Sequence, residues 1–245
     1  MDPLIGRITR GRTGNRSTGS IGFGAGNNFV YDRRRAKREL TSPLINSLRG
    51  KIDGNHPEII IRKPRNKRKP AFVRFRIRKN RDNITGNERS ELAVGRQFSG
   101  DETVHVGFSF RVHELDGITG NTKYIFQGWQ PVEQPRFGIR INSRDNSKYD
   151  LVSRSGGGTT MGLRKGKEKW NSIIMSINNE DGITWRNTRG RILAESPGGF
   201  LSPGGRAQTW RPKFGAYGFG GNDANIDVRG FSVGSDLDAV MAGLT

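Results

Sequence analysis

Alternation of apolar and polar residues limits the fold of this chain more than any other feature. Between Val104 and Val112, every second residue is Val or Phe, and the residues between them are His, Gly, Ser and Arg. Successive side chains of a strand point to opposite faces, so this pattern predicts a strand with one buried face. The segment Phe72–Lys79 repeats the pattern, with arginines at the polar positions. Those arginines, at positions 74, 76 and 78, form either a solvated outer face or an anion-binding stripe.

Similar short segments recur along the rest of the chain and predict a mainly antiparallel β-structure. Clusters of Gly, Asn, Asp and Pro separate them, and these residues are typical of turns. Many short strands without intervening helices favour a sandwich or a barrel. We predict one helical turn in Asp236–Leu244. The further predicted strands are 89–95, 123–129, 136–142, 148–153, 170–177, 183–186, 191–194, 213–217 and 225–233.

Positive charge is concentrated at the front of the chain. Residues 1–81 contain 22 Lys and Arg against 5 Asp and Glu, whereas residues 82–245 contain 20 against 18. Residues 1–55 are rich in Gly and Arg and predict an extended basic arm, with a short helix within Asp32–Leu48. Such an arm can contact nucleic acid, an anionic polymer or an acidic protein surface, or it can remain a solvated tail. Its expected anion-binding residues are Arg33, Arg34, Arg35, Lys37 and Arg38.

Several functional classes are disfavoured by composition. The chain has no Cys and three scattered His, so neither disulfides nor a metal site is suggested, and we predict no cofactor. Its first residues lack the apolar region of a secretory signal peptide, and no apolar run approaches the roughly 18 residues of a membrane span. We therefore leave the localisation open. Residues 56–70 are predicted to be a basic linker with a short strand.

A family resemblance emerges from the order of the motifs. The segment Glu-Arg-Ser-Glu-Leu at 88–92 resembles a strand of jelly-roll polysaccharide lyases, a group that includes alginate, glucuronan and heparin-lyase-like families. Similar motifs follow in the same order, at Val104–Val112, Tyr124–Gln127, Arg136–Arg140, Trp170–Ile177, Lys213–Tyr217 and Ile226–Val233. The resemblance implies a concanavalin-like antiparallel β-sandwich, a jelly roll, over residues 71–235, with residues 236–245 as a tail.

The same resemblance implies a groove for an acidic glycan and β-elimination at a uronate. Arg89 and Gln127 would bind the carboxylate, and Tyr217 would act as acid and base. Arg89 and Glu91 have an alternative structural role, because they could simply pair with each other or across the sheet. The residues expected to line the groove are Glu91, Trp129, Arg140 and Lys213.

The chain departs from the lyase pattern just after Gln127. These lyases carry a His at that point, whereas here the residues are Gly128, Trp129 and Gln130. The remaining histidines lie outside the motif, and His105 and His113 are most simply surface residues. Loss of the His removes an expected electrophile or base, which is worth about two to four decades in rate. Whether the chain is an enzyme is therefore open, and we favour binding over catalysis.

Three hypotheses follow from the sequence. In the first, the domain is a structural or glycan-binding module that the basic arm anchors in a larger assembly, such as a virus particle, as a virion structural protein. In the second, it is an active polysaccharide lyase. In the third, the arm contacts nucleic acid through the phosphate backbone.

Overall fold

A computed structural model describes residues 58–62, 72–77, 89–93, 97–115, 123–130, 135–164, 169–202, 208–217, 224–242 and 244. These ranges form fourteen strands and one short helix, α1 (Leu237–Ala242). The strands are β1 (Glu58–Arg62), β2 (Phe72–Ile77), β3 (Arg89–Ala93), β4 (Phe98–Ser99), β5 (Val104–Leu115), β6 (Lys123–Trp129), β7 (Pro135–Ile141), β8 (Lys148–Ser153), β9 (Gly158–Gly162), β10 (Asn171–Asn178), β11 (Gly182–Arg186), β12 (Ile192–Ser196), β13 (Thr209–Tyr217) and β14 (Ala224–Gly234).

The strands form two antiparallel sheets that pack as a sandwich. The β14 sheet has the order β1-β2-β14-β5-β10-β11-β12, and the β13 sheet has the order β3-β13-β6-β7-β8-β9, with β4 also paired to β13. The last two described strands, β13 and β14, thus each lie between two strands from much earlier in the sequence. The predicted fold class, an antiparallel β-sandwich of the jelly-roll type, is confirmed.

An aromatic core joins the two sheets. Phe214 of the β13 sheet stacks on Phe231 of the β14 sheet, with ring centroids 4.3 Å apart. Phe126 stacks in the same way on Phe108 at 5.4 Å. All four side chains are fully buried. Burial of an aromatic side chain contributes about 1.5–3 kcal/mol, so this stack is a principal source of stability.

Pro212 lies within β13, where it pairs with Gly128 of β6. On its other side, β13 pairs with β4 at Thr209 and Trp210 and with β3 from Lys213 onward.

Helix α1 packs on the outer face of the β14 sheet over Gly107. A Cβ atom at Gly107 would lie 2.8 Å from a methyl group of Val240, which is buried. Glycine at this position of β5 thus lets the helix approach the sheet.

A charged cluster surrounds Asp227 on the same outer face. Arg74 on β2 and Arg111 on β5 each donate to the Asp227 carboxylate at 2.7 Å, and His113 donates to it from its Nε2. The Asp227 side chain is fully buried. Burial would raise the pKa of Asp227, but the hydrogen bonds from His113, Arg74 and Arg111 outweigh it and lower the pKa to about 2. Three strands are thereby joined through one carboxylate.

His113 lies on the outer face of its strand, as the sequence predicts, but it is not a simple surface residue. It is half-buried and bonded to Asp227, and His105 donates to or accepts from Ser176 at 2.9 Å. Arg74 likewise belongs to the Asp227 cluster, whereas the alternation of apolar residues and arginines in β2 predicts only a solvated or anion-binding side chain.

Most strands lie where the alternation predicted them, within one to three residues. Two elements were missed, the two-residue β4 and the Gly-Thr-rich β9, and β13 begins four residues earlier than predicted, at Thr209. The helical turn predicted near the C-terminus is α1. The arm 1–55 and its predicted helix lie outside the described residues.

Candidate functional site

Register brings the three predicted lyase-type residues onto neighbouring strands of the β13 sheet. Tyr217 on β13 pairs with Arg89 on β3, and Lys213 on β13 pairs with Gln127 on β6. Regular alternation along β13 puts Lys213 and Tyr217 on the outer face, because Phe214 and Ala216 between them point into the core. Glu91 pairs with Gly215 on the same edge.

A cluster of two cations and one indole lies at the centre of this face. The Arg211 guanidinium is 4.6 Å from the centroid of the Trp129 ring, and Lys213 Nζ is 3.9 Å from it. Arg211 is 6% exposed and Lys213 is 4% exposed, so both charges are withdrawn from water. We refer to Trp129, Arg211 and Lys213 as the Trp129 cluster.

Arg211 is incompletely satisfied in this cluster. Its Nε is buried and has no hydrogen-bond partner within the described part of the chain. Burial also lowers the pKa of the Arg211 guanidinium from its ordinary value. A desolvated cation without a full set of acceptors is costly, and an anionic ligand would relieve that cost.

Gly128 accounts for the orientation of the Trp129 indole, which lies on the outer face at the position where the lyase pattern has a His. A Cβ atom at Gly128 would overlap the ring of Phe137 on β7, because Gly128 faces the core. The next residue, Trp129, therefore returns to the outer face and pairs with Arg211. The expected imidazole is replaced by an aromatic ring that orients two cations.

Tyr124 extends the outer face towards Tyr217. Their ring centroids are 6.3 Å apart, and the Tyr124 ring lies against Gly138, where a Cβ would come within 3.0 Å of it. Burial raises the pKa of the Tyr124 hydroxyl, and nearby Arg140 and Arg154 oppose the rise only in part. Tyr124 is therefore a hydrogen-bond donor near neutral pH and not a base.

Arg140 is paired within the sheet. Its Nε donates to Asp150 on β8 at 3.1 Å, and Asn142 and Thr160 donate to the other oxygen of the same carboxylate. Asp150 is thus the anchor of β7, β8 and β9 on this face. Arg140 lies on the predicted face, but its nearest anion is Asp150.

Both histidines of the described residues lie away from this face. His105 and His113 belong to the outer face of the β14 sheet, on the other side of the sandwich. His56 and the arm residues Arg33, Arg34, Arg35, Lys37 and Arg38 fall outside the described residues. The structure describes only the backbone pairing of Arg89 and Glu91.

Sequence reasoning missed Arg211 and Tyr124. Arg211 follows the apolar Trp210 and precedes Lys213 by two residues. Because side chains two residues apart share a face of a strand, this spacing indicates that Arg211 lies on the same outer face as Lys213. The intervening Pro212 interrupted the predicted strand and hid it. Regular alternation would place Tyr124 on the inner face with Phe126. The irregular register between Tyr124 and Phe126 instead places Tyr124 on the same face as Gln127.

Two further observations concern membranes and metals. Among the residues that the structure describes, no helix is long and apolar enough to span a membrane. In the same ranges, no three His, Asp or Glu side chains come together as ligands for a metal ion.

Comparison with known proteins gives similarity at the level of structure. No family model and no curated protein matches the chain. An alginate lyase from polysaccharide lyase family 7 matches with a TM-score of 0.50 and 12% identity, over 66% of this chain and 77% of that one. A family 7 alginate lyase in complex with substrate matches with a TM-score of 0.51 and 11% identity, over 66% of this chain and 77% of that one.

A cellulose-induced protein, Cip1, matches over a larger share of both chains. Its TM-score is 0.53 at 12% identity, over 76% of this chain and 89% of that one. At these identities the similarity concerns the fold alone. The resemblance to jelly-roll polysaccharide lyases drawn from the motifs is confirmed in that sense: the chain is similar in fold to the family 7 alginate lyases.

Proposed function

We propose that this protein is an acidic-glycan-binding module whose ligand lies on the outer face of the β13 sheet. The observation that carries the proposal is the Trp129 cluster, in which Arg211 and Lys213 are both withdrawn from water and Arg211 Nε is unsatisfied. Arginine matches a carboxylate geometrically, and a low-dielectric site strengthens the contact.

The neighbouring residues suit a sugar polymer that carries carboxylates. Gln127 pairs with Lys213, so its buried amide lies beside that cation. Tyr124 and Tyr217 extend the face along the strands and add hydroxyl donors. The family 7 alginate lyases share this fold, and a uronate polymer is the ligand class that we carry over to this chain.

Binding is favoured over elimination because no base is evident among the described side chains of this face. Abstraction of the C5 proton requires a group with a pKa matched to that task. The motif His is replaced by Trp129, the described histidines lie on the other sheet, and burial keeps Tyr124 protonated. Elimination is the second candidate function, and the pairing of Tyr217 with Arg89 beside Gln127 supports it.

One experiment separates these two functions. We expect the protein to bind polymers from a panel of alginate, glucuronan, heparin-like and ulvan-like polysaccharides without any rise in absorbance at roughly 235 nm, which an unsaturated uronate product would cause. Isothermal titration calorimetry measures binding, and Tyr217→Phe is the control for absorbance. A rise that Tyr217→Phe abolishes would establish the lyase, and a lack of binding to every polymer would refute both functions.

We also propose that the basic arm anchors the module in a larger assembly. The charge of residues 1–81, against a nearly neutral remainder, supports an acidic protein surface as the partner, with a virus particle as one such assembly and nucleic acid as the alternative. All described strands follow residue 57, so removal of residues 1–55 should leave the sandwich folded.

Deletion of residues 1–55 is therefore expected to abolish incorporation into the assembly without changing the thermal unfolding midpoint by more than a few degrees. Co-sedimentation with the assembly and calorimetry are the two measurements. Normal incorporation of the truncated chain would contradict the proposal. Steeply salt-dependent binding of the full chain to random DNA, lost on truncation, would favour nucleic acid instead.

A further inference from the structure

A second concave site lies at the end of the sandwich, away from the Trp129 cluster. A solvent-accessible cleft of about 500 Å³ opens between the β8–β9 edge of the β13 sheet and the β10–β12 part of the β14 sheet. It shares no lining residue with the outer face of β6 and β13. Its size is within the range of small-molecule sites.

Two exposed arginines flank the cleft and are held in place by asparagines. The Asn171 side chain is buried and accepts from the backbone N–H of Arg164 at 2.9 Å, while its amide donates back to the Arg164 carbonyl at 3.2 Å. On the other side, Asn187 accepts from the backbone N–H of Arg189 at 2.9 Å. Both arginine-bearing loops are thus fixed at the backbone, which leaves their side chains available.

The described lining of the cleft carries positive charge from Arg164 and Arg189. No Asp or Glu is among its described lining residues. Within the described part of the chain, neither the Arg164 nor the Arg189 guanidinium has a hydrogen-bond or ion-pair partner. Burial raises the pKa of the Tyr149 hydroxyl to about 12, and the Arg164 charge opposes part of that rise. Two unpaired cations around one cavity favour an anionic occupant.

Trp170 forms a rigid wall of the cleft. The Arg229 guanidinium is 4.1 Å from its ring centroid and the Arg111 guanidinium is 4.5 Å from it. Arg111 is fixed in turn by Asp227, so the indole is clamped by the charged cluster of the β14 sheet. These contacts hold Trp170 in one orientation and add positive potential behind it.

The remaining lining suits a ring with hydroxyl groups. Ser172 and Thr188 supply hydroxyls, and Met161 and Leu193 supply apolar surface. Sugars present this combination, because their rings carry both hydroxyls and apolar C–H faces. A single acidic pyranose is small enough to enter the cleft.

We propose that this cleft binds one anionic monosaccharide unit, with Arg164 and Arg189 pairing with its carboxylate. The site is independent of the Trp129 cluster and would give the protein a second point of contact with an acidic glycan. If a single polymer reached both sites, the second contact would raise the avidity without any change at the first.

The four tryptophans allow both sites to be read in one measurement. Trp170 lines the cleft, Trp129 belongs to the Trp129 cluster, and Trp185 and Trp210 are buried in the core. Full-length protein labelled with 5-fluorotryptophan should give four fluorine resonances, assigned by single Trp→Phe replacements. Titration with glucuronic acid is expected to shift the Trp170 resonance saturably and to leave Trp185 and Trp210 unchanged.

Variants and competing ligands make the test specific. Arg164→Gln and Arg189→Gln should each weaken the Trp170 response at least about tenfold, since a charge-assisted hydrogen bond is lost. Arg144→Gln is the matched control, because Arg144 is also exposed and its backbone N–H is also held by an asparagine, Asn142. This variant should bind as the parent does.

The proposal fails if glucuronic acid leaves the Trp170 resonance unchanged, or if both cleft variants bind normally. An equal response to glucose would refute the role of charge, and an equal response to inorganic sulfate would refute the sugar. The function proposed for the β13 sheet is judged separately, from the Trp129 resonance during titration with polymer.

Discussion

Asp227→Asn is expected to lower the free energy of unfolding by about 3–5 kcal/mol, the usual cost of removing one partner from a buried ion pair. Arg111 is only 8% exposed at its side chain and would keep its charge without a carboxylate. Chemical denaturation measures the loss. Asp181→Asn is the matched control, because Asp181 is exposed in the turn after β10, and it should change stability by less than about 0.5 kcal/mol.

A second substitution shows that charge is the cause. Arg74→Met should destabilise the parent protein, because Asp227 then loses one of its donors. In the Asp227→Asn background, the same substitution should be neutral or stabilising, because it removes a cation from a cluster with excess positive charge. Additive effects of the two substitutions would contradict this account.

The pH dependence of stability follows from the same carboxylate. Its pKa is lowered from 3.8 to about 2, so the folded state binds the proton less tightly than the unfolded chain. The contribution, roughly 2–3 kcal/mol from the size of the shift, is complete above about pH 4 and is lost as the pH falls towards 2. In Asp227→Asn, that part of the acid-induced loss of stability should be absent.

Arg211→Met is expected to weaken the binding of an acidic glycan by about 10- to 100-fold without lowering the free energy of unfolding. Methionine fills a similar volume and removes a desolvated charge whose Nε has no partner, so stability should remain the same or rise. Calorimetric titration and chemical denaturation measure the two quantities on the same variant.

Weaker glycan binding together with unchanged or higher stability would distinguish a binding role of Arg211 from a structural one. A residue kept for stability would lose stability on replacement, whereas a residue kept for binding can gain it. Arg144→Met, at an exposed arginine of the β7–β8 turn, should change neither quantity. If Arg211→Met unfolded the protein more easily and left binding intact, the Trp129 cluster would be structural.

Alternation alone was sufficient to predict most of the sandwich. Val104–Val112 and Phe72–Lys79 carry one apolar face each, and the strands observed there follow that face. β9 was missed because its glycines resemble a turn and its Thr residues carry little apolar signal. The start of β13 was missed because Pro212 interrupts the local strand pattern, and pairing with strands so distant in sequence cannot be read locally.

The candidate site was predictable only where it follows the strand pattern. Gln127, Lys213 and Trp129 lie on the predicted face because their neighbours point into the core. Tyr217 shares the alternation of Lys213, whereas Tyr124 depends on a bulge, which changes the alternation by one residue and leaves little trace in the sequence. The role of His113 depends on Asp227, more than one hundred residues later, and no local pattern indicates such a pair.

The position of the last two strands constrains the order in which this protein can fold during synthesis. β14 completes one sheet between β2 and β5, and β13 completes the other between β3 and β6. Until these strands leave the ribosome, β2, β3, β5 and β6 each present an unpaired edge, and the Phe214–Phe231 stack is missing from the core. Nascent chains therefore carry aggregation-prone edges until both strands have been synthesised, and pairing between strands so distant in sequence is slow.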